Sequence, residues 1–150
     1  MNLLKMPDEN CFLYSVAMLL DEEPSSLSKE LEIDYNAHHW IKVFPNQQEP
    51  YCYRGYHSQE ITLLCLKRGI ALVTLEVDPV ISPDGEQLYH IYQNDMGHQT
   101  IKDIIKDRKA LLYSDHHVVA WNGNDVYDPV GYIYPLERFK MTGAMVAFLM

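Results

Sequence analysis

The ten residues Cys11–Leu20 (CFLYSVAMLL) constrain the fold more than any other segment of this chain. Phe12, Leu13, Val16, Ala17, Leu19 and Leu20 cover most of the circumference of a helix. A helix apolar on nearly all sides is a buried one, because a surface helix keeps a polar face toward water. The remaining elements must therefore wrap around it. Asp8 or Asn10, after Pro7, can cap its start, and Asp21-Glu22-Glu23-Pro24 ends it.

Those remaining elements fall into two groups. Ser25 or Ser26 starts a second short helix through Leu27 and Leu31. Ser58 caps a third, with Ile61, Leu64 and Cys65 inward and Gly69 as its stop. Between them, 34–56 reads as a loop rich in aromatic residues and interrupted by Pro45 and Pro50. Over 70–77 the period changes to a β-branched strand pattern, ended by Asp78-Pro79 and the turn Ser82-Pro83-Asp84-Gly85. Further strands are expected at 87–92, 110–114, 117–121, 125–128 and 144–149, with a short helix after Thr100 through Ile101, Ile104 and Ile105. Asn122-Gly123 predicts a two-residue hairpin loop, since both residues suit positive φ angles. Helices first and a mostly antiparallel sheet later define an α+β fold. No repeat or linker divides the 150 residues, which suffice for one domain (1–150) with a real core.

A formal net charge of -9, with no Lys/Arg cluster, argues against nucleic-acid binding, which needs a basic surface to displace counterions. The acidic balance favours a protein, peptide or small-molecule partner. Three irregularly placed cysteines, Cys11, Cys52 and Cys65, do not make a disulfide framework, and no C-x-x-C pair points to structural zinc. His38-His39 beside Trp40 lack an acidic partner at helical spacing, so neither a metal nor a cofactor is expected. Residues 1–7 are too short for a signal-peptide core, and no apolar run could span a bilayer. A cytoplasmic protein without membrane contact is the expectation.

Three residues at element boundaries point to a reaction. Cys11 opens the buried helix, where unpaired backbone N–H groups and the positive dipole end favour a thiolate and can hold an oxyanion. Asp8 and Glu9 work against that anion, so an imidazolium partner is needed. His117 opens a strand, and the turn at Asn122-Gly123 folds the next strand back so that Asp128 ends near it. An aspartate there can accept the imidazole N–H and hold the tautomer whose other nitrogen faces sulfur. His116 competes with His117, and since adjacent strand residues face opposite sides only one can reach Cys11. Cys65, in mid-helix, and Cys52, in the loop, read as structural.

Asp8-Glu9-Asn10-Cys11 with its apolar helix, His117-Val118-Val119-Ala120-Trp121, and Val126-Tyr127-Asp128-Pro129 together resemble the papain-like cysteine peptidase superfamily. The likeness is greatest to its bacteriocin-processing, double-glycine-leader branch and the small stand-alone relatives found in bacteria and bacteriophages. It covers the first helix and the last third of the chain. The resemblance implies a Cys11–His117–Asp128 catalytic triad, a covalent acyl-enzyme, peptidase or isopeptidase activity on a protein or peptide, and, if phage-encoded, action in the host cytoplasm. The family places a glutamine about six residues before the nucleophile to complete the oxyanion hole; here Lys5 stands there, and Asn10 is the candidate substitute. Phe12 replaces the frequent glycine after the cysteine. Two other readings keep the same fold: an acyltransferase or transglutaminase-like enzyme, in which an amine replaces water, and a non-catalytic binder such as a phage-encoded inhibitor of a host protein.

Overall fold

The computed structural model describes residues 1–7, 10–37, 58–94 and 101–150. Asp8, Glu9 and Thr100 lie outside the described residues, as does 38–57 with His38, His39, Trp40 and Cys52. Among the described residues four helices form: α1 (Cys11–Leu20), α2 (Pro24–Ala37), α3 (Ser58–Lys67) and α4 (Ile101–Ile105). Seven strands accompany them: β1 (Ile70–Ile81), β2 (Gln87–Asn94), β3 (Ala110–Tyr113), β4 (Val118–Trp121), β5 (Val126–Asp128), β6 (Tyr132–Tyr134) and β7 (Gly143–Leu149). They make one sheet in the order β2-β1-β7-β3-β4-β5-β6, with every neighbouring pair antiparallel. The architecture is α+β, as the order of periodicities predicts.

The last strand, β7, lies inside the sheet between β1 and β3 and joins the β2-β1 pair to the hairpins that follow α4. Both faces of its middle strands are covered. Leu111 and Met145 face the helices and meet Leu13, Val16, Ile61 and Leu64. Their neighbours Ala110, Leu112, Ala144 and Val146 face the other way, onto Ile101, Ile105 and Leu136. Alternate residues of a strand point to opposite faces, so a strand buried on both reads as an unbroken apolar run. That is why β3 and β7 show no polar alternation in the sequence.

Helix α1 is the buried one: Leu13 and the stretch Ser15 to Leu19 are all inaccessible. It stops where Asp21 takes a left-handed conformation and its N–H, with that of Glu22, returns to carbonyls of the last turn. Arg68 then ties the helical layer together through Glu22 Oε2 at 2.5 Å and Glu30 Oε2 at 2.6 Å.

Four elements differ from the expectations above. Helix α2 begins at Pro24, whose missing N–H costs nothing in a first turn, and runs to Ala37, taking in the start of the expected loop. Strand β1 continues past Asp78-Pro79 to Ile81, because the register shifts between Pro79 and Val80 and such a bulge tolerates proline. Trp121 pairs with Val126, so the β4–β5 loop has four residues, not two. Asn122 Oδ1 accepts the N–H groups of Asn124 (2.9 Å) and Asp125 (2.7 Å), an Asx turn that replaces the tight hairpin. Finally β6, three residues between Gly131 and Pro135, was not expected at all.

Candidate active site

Cys11 is the first residue of α1. Asn10 occupies the cap position at φ -113°, ψ 52° without a side-chain capping bond, while its carbonyl accepts the Tyr14 N–H at 3.2 Å. The N–H groups of the first turn therefore receive no capping bond from the Asn10 side chain. One turn on, the buried Ser15 hydroxyl donates to the Val118 carbonyl at 2.9 Å. Residues four apart share a helix face, and Val118 follows His117, so this bond sets Cys11 at the height of His117. The chain before α1 is tied to the same place, since the Met6 N–H donates to the Pro129 carbonyl at 2.7 Å.

His117 ends the β3–β4 loop, which Ser114 closes by donating its N–H to the His117 carbonyl at 2.9 Å. The imidazole is half-buried, 6.4 Å from the Phe139 ring, and near enough to the Cys11 sulfur for each group to shift the ionisation of the other. His116 is exposed. The imidazole's Nε2 is 2.8 Å from Asp128 Oδ1, which leaves Nδ1 as the nitrogen that meets sulfur. The register Ala120↔Tyr127 and Trp121↔Val126, carried on, sets Asp128 across from Val119, two residues from His117 on the same face. The structure thus brings together all three residues read from the sequence.

Asp128 is only 7% exposed, so its carboxylate must be satisfied by protein. Oδ1 also accepts the Val130 N–H at 3.0 Å, and Oδ2 accepts the Tyr134 hydroxyl at 2.5 Å. Ser15 and Tyr134 are the two members of this cluster that sequence reasoning missed. Ser15 carried a signal, as the one small polar residue in an apolar helix, four positions after Cys11. Tyr134 carried a weaker one: it follows a tight turn by the spacing that returns it to the face of Asp128.

The charges at the site reinforce one another. Burial resists ionisation of the Cys11 thiol, but the His117 hydrogen bond, the Val118 N–H, the imidazolium charge and the Phe12 N–H more than offset it. The thiol pKa lies below its ordinary 9.0. Hydrogen bonds to Asp128 and then to Cys11 lift the His117 imidazole to about 9, against the opposing effect of burial. Burial works against the Asp128 anion too, and His117, Tyr134 and the Val130 N–H reverse it, so the carboxyl lies below its usual range. Near neutral pH the arrangement favours a thiolate beside an imidazolium. Cys65 is the contrast: burial pushes its thiol up to about 11, as for an inert core cysteine.

A cavity of about 340 Å³ is walled by Phe12 and Val118, the chain neighbours of Cys11 and His117, with Tyr113, Ser114, Thr74 and Met145. A larger one, about 460 Å³, lies at the opposite end of α1 beside Leu19 and Leu20, away from the chemistry. Lys5 is exposed, and its methylene stem runs past Gly131 in the turn after Asp128. Among the described residues no group of three or more His, Cys, Asp or Glu side chains could hold a metal ion, and no helix is long and apolar enough to cross a membrane.

With that geometry set out, the class of site is a cysteine–imidazole–carboxylate chain on an α+β domain. No protein-family model, curated protein or solved structure matches the chain.

Proposed function

We propose that this protein is a cysteine hydrolase of the papain-like kind, a peptidase or isopeptidase acting on a protein or peptide in a reducing cytoplasm. One observation carries the reading: the Cys11 thiol at the mouth of a buried helix is coupled to the His117 imidazole, which is hydrogen-bonded to the Asp128 carboxylate at 2.8 Å. A sulfur, a base and an orienter in that order are what nucleophilic acyl transfer requires. The thiolate bonds to the carbonyl carbon, and the C=O electron pair moves to oxygen. The Cys11 N–H at the helix start, with the uncapped Asn10 carboxamide beside it, is available to that oxyanion. Collapse expels the amine, which takes its proton from His117 and leaves a thioester. His117 then removes a proton from water, which attacks the thioester, and the acid product departs as the thiolate is restored.

The cavity walled by Phe12 and Val118, the chain neighbours of Cys11 and His117, offers room for a substrate side chain. The test is alkylation with iodoacetamide at pH 6.5, followed by peptide mapping and by profiling of new N-termini in a digest of bacterial proteins. Cys11 should be labelled first, and new termini should appear with the native chain but not with Cys11→Ala. Labelling of Cys52 or Cys65 with Cys11 untouched overturns the proposal. Products carrying an added amine in place of a free acid would redirect it from hydrolysis to acyl transfer.

A further inference from the structure

We propose that Tyr134 is a positioning residue for this site: its phenol holds the Asp128 carboxylate in the one orientation that presents Oδ1 to His117. A carboxylate with a single partner can turn about its last bond and exchange oxygens. Here each oxygen is assigned. Oδ1 takes His117 Nε2 at 2.8 Å and the Val130 N–H at 3.0 Å, and Oδ2 takes the Tyr134 hydroxyl at 2.5 Å. A short O–H···O⁻ bond is among the stronger hydrogen bonds a protein makes, and it opposes rotation directly.

The backbone explains why this tyrosine and not its neighbour makes the contact. The turn after β5 closes through the Gly131 N–H to the Asp128 carbonyl at 2.8 Å, with Gly131 at φ +118°. It pairs Asp128 with Tyr132 and Val126 with Tyr134. Tyr134 therefore stands diagonally from Asp128 on the same face, within reach of a long side chain. Its ring packs against the core cluster that holds Trp121 and Val126, which limits its freedom. Tyr132 is 66% exposed and serves as a built-in control.

Among the described residues the other titratable groups facing Asp128 are His117 from the start of β4 and, through it, Cys11 from α1. On the 3-10 turn after β6, Glu137 pairs with Lys102 instead. The kinetic consequence rests on the cysteine-hydrolase reading; the contact itself does not.

The experiment compares Tyr134→Phe with the native chain, following the His117 imidazole by NMR and the alkylation of Cys11 by iodoacetamide across pH. Phenylalanine keeps the packing and removes only the hydroxyl. The His117 midpoint should fall by about half a unit or more, and alkylation at pH 6.5 should slow roughly three- to tenfold. Tyr132→Phe should change neither. In an Asp128→Ala background, Tyr134→Phe should add nothing, because Tyr134 acts through the Asp128 carboxylate. An unchanged His117 midpoint, or an equal loss in both backgrounds, overturns the proposal. Should the variant fail to fold, the native chain still decides: the Tyr134 Cζ resonance must move with the acid titration of Asp128. If native Cys11 reacts no faster than a free thiol, the hydrolase reading fails while the His117 midpoint still judges Tyr134.

Discussion

Replacing Asp128 with asparagine tests the charge at the site while keeping its shape. The Val130 N–H donates to Oδ1, so the amide oxygen stays on that side and still accepts from His117 Nε2; the new amide group faces Tyr134, whose hydroxyl can accept as well as donate. What is lost is the negative charge. The His117 imidazole stands at about 9 against an ordinary 6.5, with the Asp128 hydrogen bond as the largest cause. Each pKa unit is 1.36 kcal/mol, so the full elevation is on the order of 3 kcal/mol, shared between Asp128 and Cys11. The imidazole side chain is 26% exposed, so solvent screens part of that. Removing the charge should therefore lower the His117 pKa by about one to two units. An imidazole that loses its proton near neutrality no longer favours the thiolate, so the two chains should differ most between the variant's midpoint and the native one. At pH 8 the rate with iodoacetamide should drop roughly tenfold; at pH 6, where both imidazoles are protonated, and well above pH 9, where neither is, it should approach that of the native chain. Equal rates at pH 8 would refute the reasoning, because Asp128 would then not be sustaining the imidazolium.

Three further predictions follow from the same geometry. Stability should depend on pH through His117 and Asp128, and Cys11→Ala exposes this by removing the thiol, whose lowered pKa works in the opposite direction to His117 above neutrality. In that variant the raised imidazole contributes fully below about 6.5 and loses its contribution as pH rises toward its folded value; the lowered carboxyl contributes above about 4 and loses its contribution in acid. Its Tm should hold between these limits and fall on either side, and adding Asp128→Asn should flatten both slopes. Gly143→Ala should destabilise by about 1–3 kcal/mol in urea unfolding, because a Cβ there would lie inside the Tyr113 ring, which forms one wall of the cavity at Phe12 and Val118. Ser15→Ala should cost about 1–3 kcal/mol by leaving the Val118 carbonyl without its donor, and alkylation of Cys11 in the folded variant should also slow. A stability loss with unchanged alkylation would mean that Ser15 does not set the height of the helix against the strand.

What the sequence made legible was local. The apolar helix α1, the strand runs and the three boundary residues each depend on the identity and spacing of near neighbours, and the structure has them where those patterns lie. What stayed hidden depended on partners far along the chain or on competition between turn chemistries. The acceptor for Ser15 is 103 residues away, so the serine reads only as a polar interruption in an apolar helix. At Asn122-Gly123 the dipeptide suits a tight hairpin, but the asparagine carbonyl finds two backbone donors of its own. The Gly123 carbonyl meanwhile accepts the Asp107 N–H at 3.0 Å, so docking against the end of α4 sets the loop length. Tyr132–Tyr134 is too short to show a period.

The proximity of Cys11 to His117 follows from a different kind of information again. Nothing in either local motif states it; it comes from α1 lying across the sheet at a height fixed by Ser15 and by the Met6–Pro129 bond. The motif residues can therefore stay in place while the site fails. A variant that weakens those two ties without touching Cys11, His117 or Asp128 should lose thiol reactivity before it loses the fold, since the sheet core depends on neither bond.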